Sequence, residues 1–248
     1  MGGAVGDPHF LTWTHEWFDY MGQCDLILVD APSFSHGLGL TAHIRTKHRY
    51  DYSYIESAAI RIGEEDVFEV GSYGGYFVNG ISNAEMPAML GDFPVHYEKK
   101  SDDLHILTVD MGSHGSVALK VYKDLVGLKF DGAKEGDFGD SVGLMGSFAA
   151  GSHIARDRQT ILEDVNEFGQ EWQVQEGEPQ LFVSKAGEGK CALPSPKRQS
   201  VKRRLGETIS VEAAEMACSH IKEGHGHEQC VYDVIATGDL GAAQAGAF

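Results

Sequence analysis

Leu104-His105-Ile106-Leu107-Thr108-Val109, Val117-Ala118-Leu119-Lys120-Val121-Tyr122 and the run from Leu125 to Phe130 decide the fold class. Each is short and rich in β-formers. The second alternates apolar with small or polar residues, the period of a half-buried strand. The first is apolar enough to be buried on both faces. Outward from these, Asp25 to Val29, Leu40 to Arg45, Ser57 to Ile62, Val67 to Val70 and Tyr76 to Val78 carry the same signature. Gly71, Gly74 and Gly75 part the last two, which predicts a hairpin with an irregular turn, and Asn79-Gly80 signals a tight one. Short strands at close intervals predict a mainly β protein, an antiparallel β-sandwich. The 31 glycines and 7 prolines in 248 residues suit many turns.

The pattern changes after Val174. Residues 176–207, with Gly177, Pro179, Gly187, Gly189, Pro194 and Pro196, read as a linker. Residues 208–248 read as a small α-helical module. Ser210 is suited to cap a helix whose Val211, Ala214, Cys218 and Ile221 share one face, with Gly224 as its end. A second helix is expected from His227 to Thr237, with Cys230, Val231, Val234 and Ile235 on its apolar side. The division is therefore 4–175 for the sandwich, 176–207 for the linker and 208–248 for the helical module.

A net charge of −17 argues against nucleic acid or an anionic membrane as partner, since both demand a basic footprint. The local exception, Lys197-Arg198 with Lys202-Arg203-Arg204, reads as solvated linker, with a processing site or an anionic-polymer contact as the sharper alternative. There is no long apolar run of membrane-spanning length, so no membrane insertion is expected. Met1 to Val5 lacks the basic and apolar regions of a signal peptide, so an exported chain would carry its targeting segment upstream. The 4 cysteines, Cys24, Cys191, Cys218 and Cys230, allow two disulfides, and spacing does not choose among the three pairings.

Signatures of common enzymes are missing: no Gly-x-Ser-x-Gly elbow, no His-Glu-x-x-His helix and no phosphate loop. The acids Glu64-Glu65-Asp66 and Asp102-Asp103 fit solvated turns. His220, His225 and His227 lie between Cys218 and Cys230, where zinc is conceivable, but a disulfide with solvent-facing histidines is the favoured reading. Trp13, Trp17, Phe18 and Tyr20 are expected to pack the first hairpin, with an exposed aromatic patch for adhesion as the alternative.

The most specific stretch is Gly6-Asp7-Pro8-His9-Phe10-Leu11-Thr12. It resembles the Gly-Asp-Pro-His opening of von Willebrand factor type D domains. Phe18-Asp19-Tyr20, Gly22-Gln23-Cys24, Phe77-Val78-Asn79-Gly80, Gly143-Leu144-Met145-Gly146-Ser147-Phe148 and Asn166-Glu167-Phe168-Gly169-Gln170-Glu171-Trp172-Gln173-Val174 follow in the family's order. Cys218 and Cys230-Val231-Tyr232-Asp233-Val234 resemble, more weakly, the helical eight-cysteine (C8) module that follows such domains. The combination is similar to extracellular adhesive proteins of diatoms and other algae.

The resemblance implies that Cys24 pairs with Cys191, a bridge worth about 4–5 kcal/mol by chain-entropy arithmetic. It also exposes departures. Val142 and Met145 stand at two family cysteine positions, and Gly2 and Ser33 stand near their partners'. Thr14, Ser147 and Ala149 replace the family's calcium ligands, two carboxylates and an amide. Calcium is the family's cofactor; no tight calcium, and no other metal or cofactor, is expected here.

The resemblance further implies a non-enzymatic extracellular or cell-surface module for adhesion, matrix or protein assembly. Its partners would be other extracellular proteins, matrix polymers or further copies of the chain. An alternative is self-processing at Asp7-Pro8, since in some relatives this bond cleaves in mild acid. His9, titrating near 6.5 when unperturbed, could then assist proton transfer. A third reading is a secreted enzyme, since some luciferases carry type D domains.

Overall fold

The computed structural model describes residues 2–6, 8–49, 52–149, 151, 153–183, 191–193, 209–222 and 224–245. The basic stretch at 197–204 and Asp7 lie outside them. The strands are β1 (Gly2–Val5), β2 (His9–Leu11), β3 (Trp17–Asp19), β4 (Asp25–Ala31), β5 (Leu40–Arg49), β6 (Tyr52–Ile62), β7 (Asp66–Val70), β8 (Tyr76–Val78), β9 (Ile81–Ser82), β10 (Ala88–Leu90), β11 (Phe93–Lys99), β12 (Leu104–Asp110), β13 (Ser116–Tyr122) and β14 (Leu125–Asp131). The helices are α1 (Phe34–Gly37), α2 (Glu135–Phe138), α3 (Val165–Glu171), α4 (Val211–Cys218) and α5 (His225–Thr237).

Two antiparallel sheets result. One runs β10-β11-β12-β13-β14-β1-β2-β3 and the other β4-β5-β6-β7-β8-β9, and neither closes. The expected mainly β, sandwich-like architecture with C-terminal helices is what the chain forms. β14 packs across β6, so Val126, Leu128 and Phe130 meet the inner face of the six-stranded sheet. Ala58, Ile60 and Ile62 line that face of β6, and the alternating Ala59 and Arg61 turn outward. The turn at Asn79-Gly80 has φ of 50° and 77°, the pair of positive values a two-residue primed turn demands.

Some elements differ from the sequence reading. β12 alternates, with His105, Leu107 and Val109 buried and their neighbours partly exposed, so it is not buried on both faces. Only one of its faces meets the second sheet. The pair β10–β11 carried no sequence signal, because Val95 is the only buried residue of β11 and Pro94 sits within it. The first tail helix stops at Cys218 rather than running to Gly224. The Cys218–Cys230 bridge, whose Cα atoms are 6.0 Å apart, requires the chain to reverse within a sequence separation of 12. α5 starts at His225, and Gly238 in the left-handed region, φ 68°, ends it. Ser210 caps α4 by accepting from the Ala213 N–H, as its position predicted. Within 176–207, Leu181 and Phe182 are buried against Ala59, with Arg45 over the Phe182 ring at 4.4 Å, so this part of the connector is docked on the outer face of the sheet.

The separate motifs meet in space. β4 is an edge strand, and its open backbone groups are taken up by returning chain. The Asp30 N–H donates to the Val142 carbonyl at 2.8 Å, and Leu144 and Met145 donate to Ile27 and Leu28, each at 3.1 Å. The Ile27 N–H donates to Trp172 at 2.8 Å, and Val174 donates to Asp25 at 2.9 Å. Gly143, at φ 121°, is where this approach is tightest: a Cβ there would stand 2.5 Å from the Leu28 carbonyl oxygen. Gly169 of α3 lies on the fully buried Tyr20 ring, and a Cβ would fall 2.3 Å from it.

The Gly169→Ala variant sets helix propensity, which favours alanine by up to about 1 kcal/mol, against overpacking of about 1–3 kcal/mol. Overpacking should win, because Tyr20 has nowhere to move. Urea denaturation should show a net loss of stability; an unchanged midpoint would show that the Tyr20 ring relocates.

Candidate functional site

Gly6 and Pro8 lie in the turn between β1 and β2, and with His9 they are anchored by the rest of the protein. Gly6 takes φ 58°. Its carbonyl accepts from the Ile55 N–H at 3.1 Å, and the Pro8 carbonyl accepts from Tyr20 at 3.3 Å. The two carbonyls flanking position 7 are therefore anchored to the opposite sheet and to the chain after β3. Gly6, Pro8 and His9 are all buried.

His9 is 1 % exposed and lies between two carboxylates. Its Nδ1 is 2.7 Å from Asp19 Oδ1, and its Nε2 is 3.3 Å from Asp233 Oδ1. Asp19 comes from β3, at the register position opposite His9, and Asp233 from α5, far along the chain. Burial by itself would strip the proton from His9, but hydrogen bonds to Asp19 and Asp233 and the charges of both outweigh it and hold the pKa at about 10. His9 is thus a fixed cation through neutral and mildly acid pH. The sequence-based idea that it titrates near 6.5 is corrected: the two carboxylates hold its proton.

Asp233 is the residue the sequence reading missed. It sits on the face of α5 that holds Cys230 and Val234, and it is 2 % exposed. Val231 and Ile235, expected on that face, are only partly buried. A charged residue within an apolar helix face was the available signal. Its carboxylate lies against Gly6, where a Cβ would stand 2.2 Å from Oδ2.

Cys24 pairs with Cys191, Cα atoms 5.0 Å apart, and Cys218 pairs with Cys230. The second bridge occupies both sulfurs that zinc would have required. His220 and His225 are exposed and His227 is partly buried; His225 packs on Trp17 at 5.3 Å. Met145 packs on Gly2, where a Cβ would meet its Cε at 2.5 Å. Ser33 instead donates to Asp140. Thr14 hydrogen-bonds Thr12 at 3.0 Å, Ser147 is buried and Ala149 exposed. Among the described residues no three His, Cys, Asp or Glu side chains are placed to hold a metal. Trp13, Phe18 and Tyr20 belong to the core and only Trp17 is half-exposed, so the four form no open aromatic patch. Asp102 and Glu64-Glu65 lie at exposed turns as expected.

A second histidine has the opposite character. His43 is 1 % exposed, and no described group hydrogen-bonds either ring nitrogen. Burial first, then the charges of Arg61 and Arg156, push its pKa down to about 3. No protein-family model matches the chain, and no curated protein is significantly similar to it.

The two histidines predict both limbs of the stability profile. His9 is raised above its unfolded value, so its contribution is full below about 6.5 and is lost as pH rises through about 10. His43 is lowered, so its contribution is full above about 6.5 and is lost as pH falls toward about 3. Each limb should slope by about 1.4 kcal/mol per pH unit from that group. Denaturant melts from pH 4 to pH 10 should show His9→Gln flattening the alkaline limb and His43→Leu flattening the acid one.

Proposed function

We propose that this chain is an extracellular structural module of the von Willebrand factor type D kind, serving adhesion, matrix or protein assembly rather than catalysis. The observation that carries the reading is covalent closure of the sandwich where it would open. Cys24–Cys191 straps the chain beyond Trp172 to the start of β4, beside the Gln23–Ala192 bridge, across 167 positions. Two disulfides suit an oxidising compartment. No helix among the described residues is long and apolar enough to cross a membrane. The acidic surface fits partners met through exposed polar groups or other copies of the chain rather than nucleic acid.

The test is assembly and adhesion by the oxidised chain. Light scattering across a concentration series should reveal self-association, and a quartz crystal microbalance should record retention on mineral or polysaccharide surfaces. A strict monomer that washes off all of them would sink the reading. The double variant Cys24→Ser with Cys191→Ser should lose up to about 4–5 kcal/mol of stability and lose retention with it.

A second reading, self-processing at Asp7–Pro8, is favoured by the buried cation one residue beyond the bond. In that chemistry the Asp7 side-chain carboxylate attacks its own carbonyl carbon and the bond to the Pro8 nitrogen breaks. That nitrogen takes a proton from solvent acid at this pH, and water opens the cyclic anhydride. Intact mass after several days at pH 5–6 decides it. Loss of residues 1–7 is expected; an uncut chain rejects it.

A further inference from the structure

We propose that the C-terminal helical module is a cap over the Gly6–His9 turn, with Asp233 as the residue that holds it there and positions the His9 ring. An imidazolium has two N–H groups to satisfy. Asp19, on the neighbouring strand, takes the one at Nδ1. The other, at Nε2, faces Asp233, which the sandwich does not supply. The His9 ring therefore has its full set of partners only while α5 is docked. Among the described residues the titratable groups facing it are Asp19 from β3 and Asp233 and Tyr232 from α5, the last edge-on at 6.3 Å.

Gly6 supports the same conclusion independently. Its positive φ already favours glycine. Beyond that, the Asp233 carboxylate occupies the space of any Cβ. The opening glycine is thus fitted to a helix more than two hundred positions away as well as to its own turn.

The cap has a second fastening. At the far end of the module Asp239 accepts from Lys123 Nζ at 2.6 Å and from the Tyr122 hydroxyl at 3.1 Å. Between the two fastenings Ala214, Cys218, Cys230 and Val234 cluster with Tyr54, Tyr122 and Leu125 of the sandwich. The Cys218–Cys230 bridge joins α4 to α5, so the two helices dock or lift as one. With the cap lifted, His9 keeps only Asp19, which is 41 % exposed, and Gly6 loses the Asp233 carboxylate packed on it. This concerns access to the turn and does not rest on self-processing of its bond.

The test uses the full oxidised chain, NMR titration of His9 and amide hydrogen exchange at Ile55, whose N–H donates to the Gly6 carbonyl. In the parent protein His9 should stay protonated beyond pH 9 and the Ile55 amide should exchange slowly. In Asp233→Asn the His9 midpoint should fall by more than one pH unit. Exchange at Ile55 should quicken at least tenfold, while Leu119 inside the sandwich exchanges at an unchanged rate. Asp239→Asn, at the other fastening, should quicken the Ile55 exchange without moving the His9 midpoint. A His9 midpoint unmoved in Asp233→Asn, or parent-like exchange at Ile55, overturns the proposal. Should Asp233→Asn not fold, Asp239→Asn decides, and parent-like exchange at Ile55 in it overturns the cap.

Discussion

The outer edge of β4 is the constraint on which the rest of the structure depends. A strand at a sheet edge presents unpaired N–H and C=O groups, and β4 is otherwise apolar and deeply buried. Left open, it would pair with another chain or leave polar groups unsatisfied. The protein closes it with chain that returns from far along the sequence, at residues 142–145 and 172–174. The same edge receives the disulfide strap, through the Gln23–Ala192 pairing next to Cys24–Cys191. Two segments that look unrelated in sequence therefore do one job.

Close approach of backbone to aromatic side chains is what lets those segments return. Tyr20 lies between Gly22 and Gly169, and a Cβ at either would clash with the ring, at 2.5 and 2.3 Å. Around it Phe10 stacks on Phe18 at 4.8 Å and Phe18 meets Phe168 at 5.5 Å. The first hairpin and α3 are thus one packed unit. The same hairpin presents His9 to α5, so the sandwich core, the turn and the helical module are mechanically continuous.

Electrostatics is used sparingly inside this acidic protein. Of the three buried carboxylates among the described residues, Asp25 and Asp233 meet cations, while Glu69 accepts from the Val183 N–H. Asp25 takes Arg45 through two bonds at 2.7 and 2.8 Å, and Asp19 with Asp233 takes His9. Desolvation erodes the net stability such pairs contribute, yet removing one partner leaves a buried charge unpaired, so both must be in place. The Asp19–His9–Asp233 arrangement enforces contact between elements at opposite ends of the chain.

Much of the strand pattern could be read directly, because alternation and turn residues are local properties. β12, β13 and β14, the Asn79-Gly80 turn and the Ser210 cap follow from neighbours in sequence. β10 and β11 escaped because almost nothing in β11 is buried and periodicity had nothing to report. The end of α4 was misplaced because the chain turns back after Cys218 to bring Cys230 within bridging distance, a tertiary requirement that local periodicity does not carry. At the site, Gly6, Pro8 and His9 stood out as a motif, but the charge of His9 did not. That depends on Asp233, whose position in sequence carries no trace of the turn it covers. What the amino-acid order determined by itself was the list of strands, turns and caps, since short-range sterics and hydrophobic period set them. What only the tertiary structure decided was which distant carboxylate meets which histidine, because burial and Coulomb interactions depend on distances that exist only after the chain has folded.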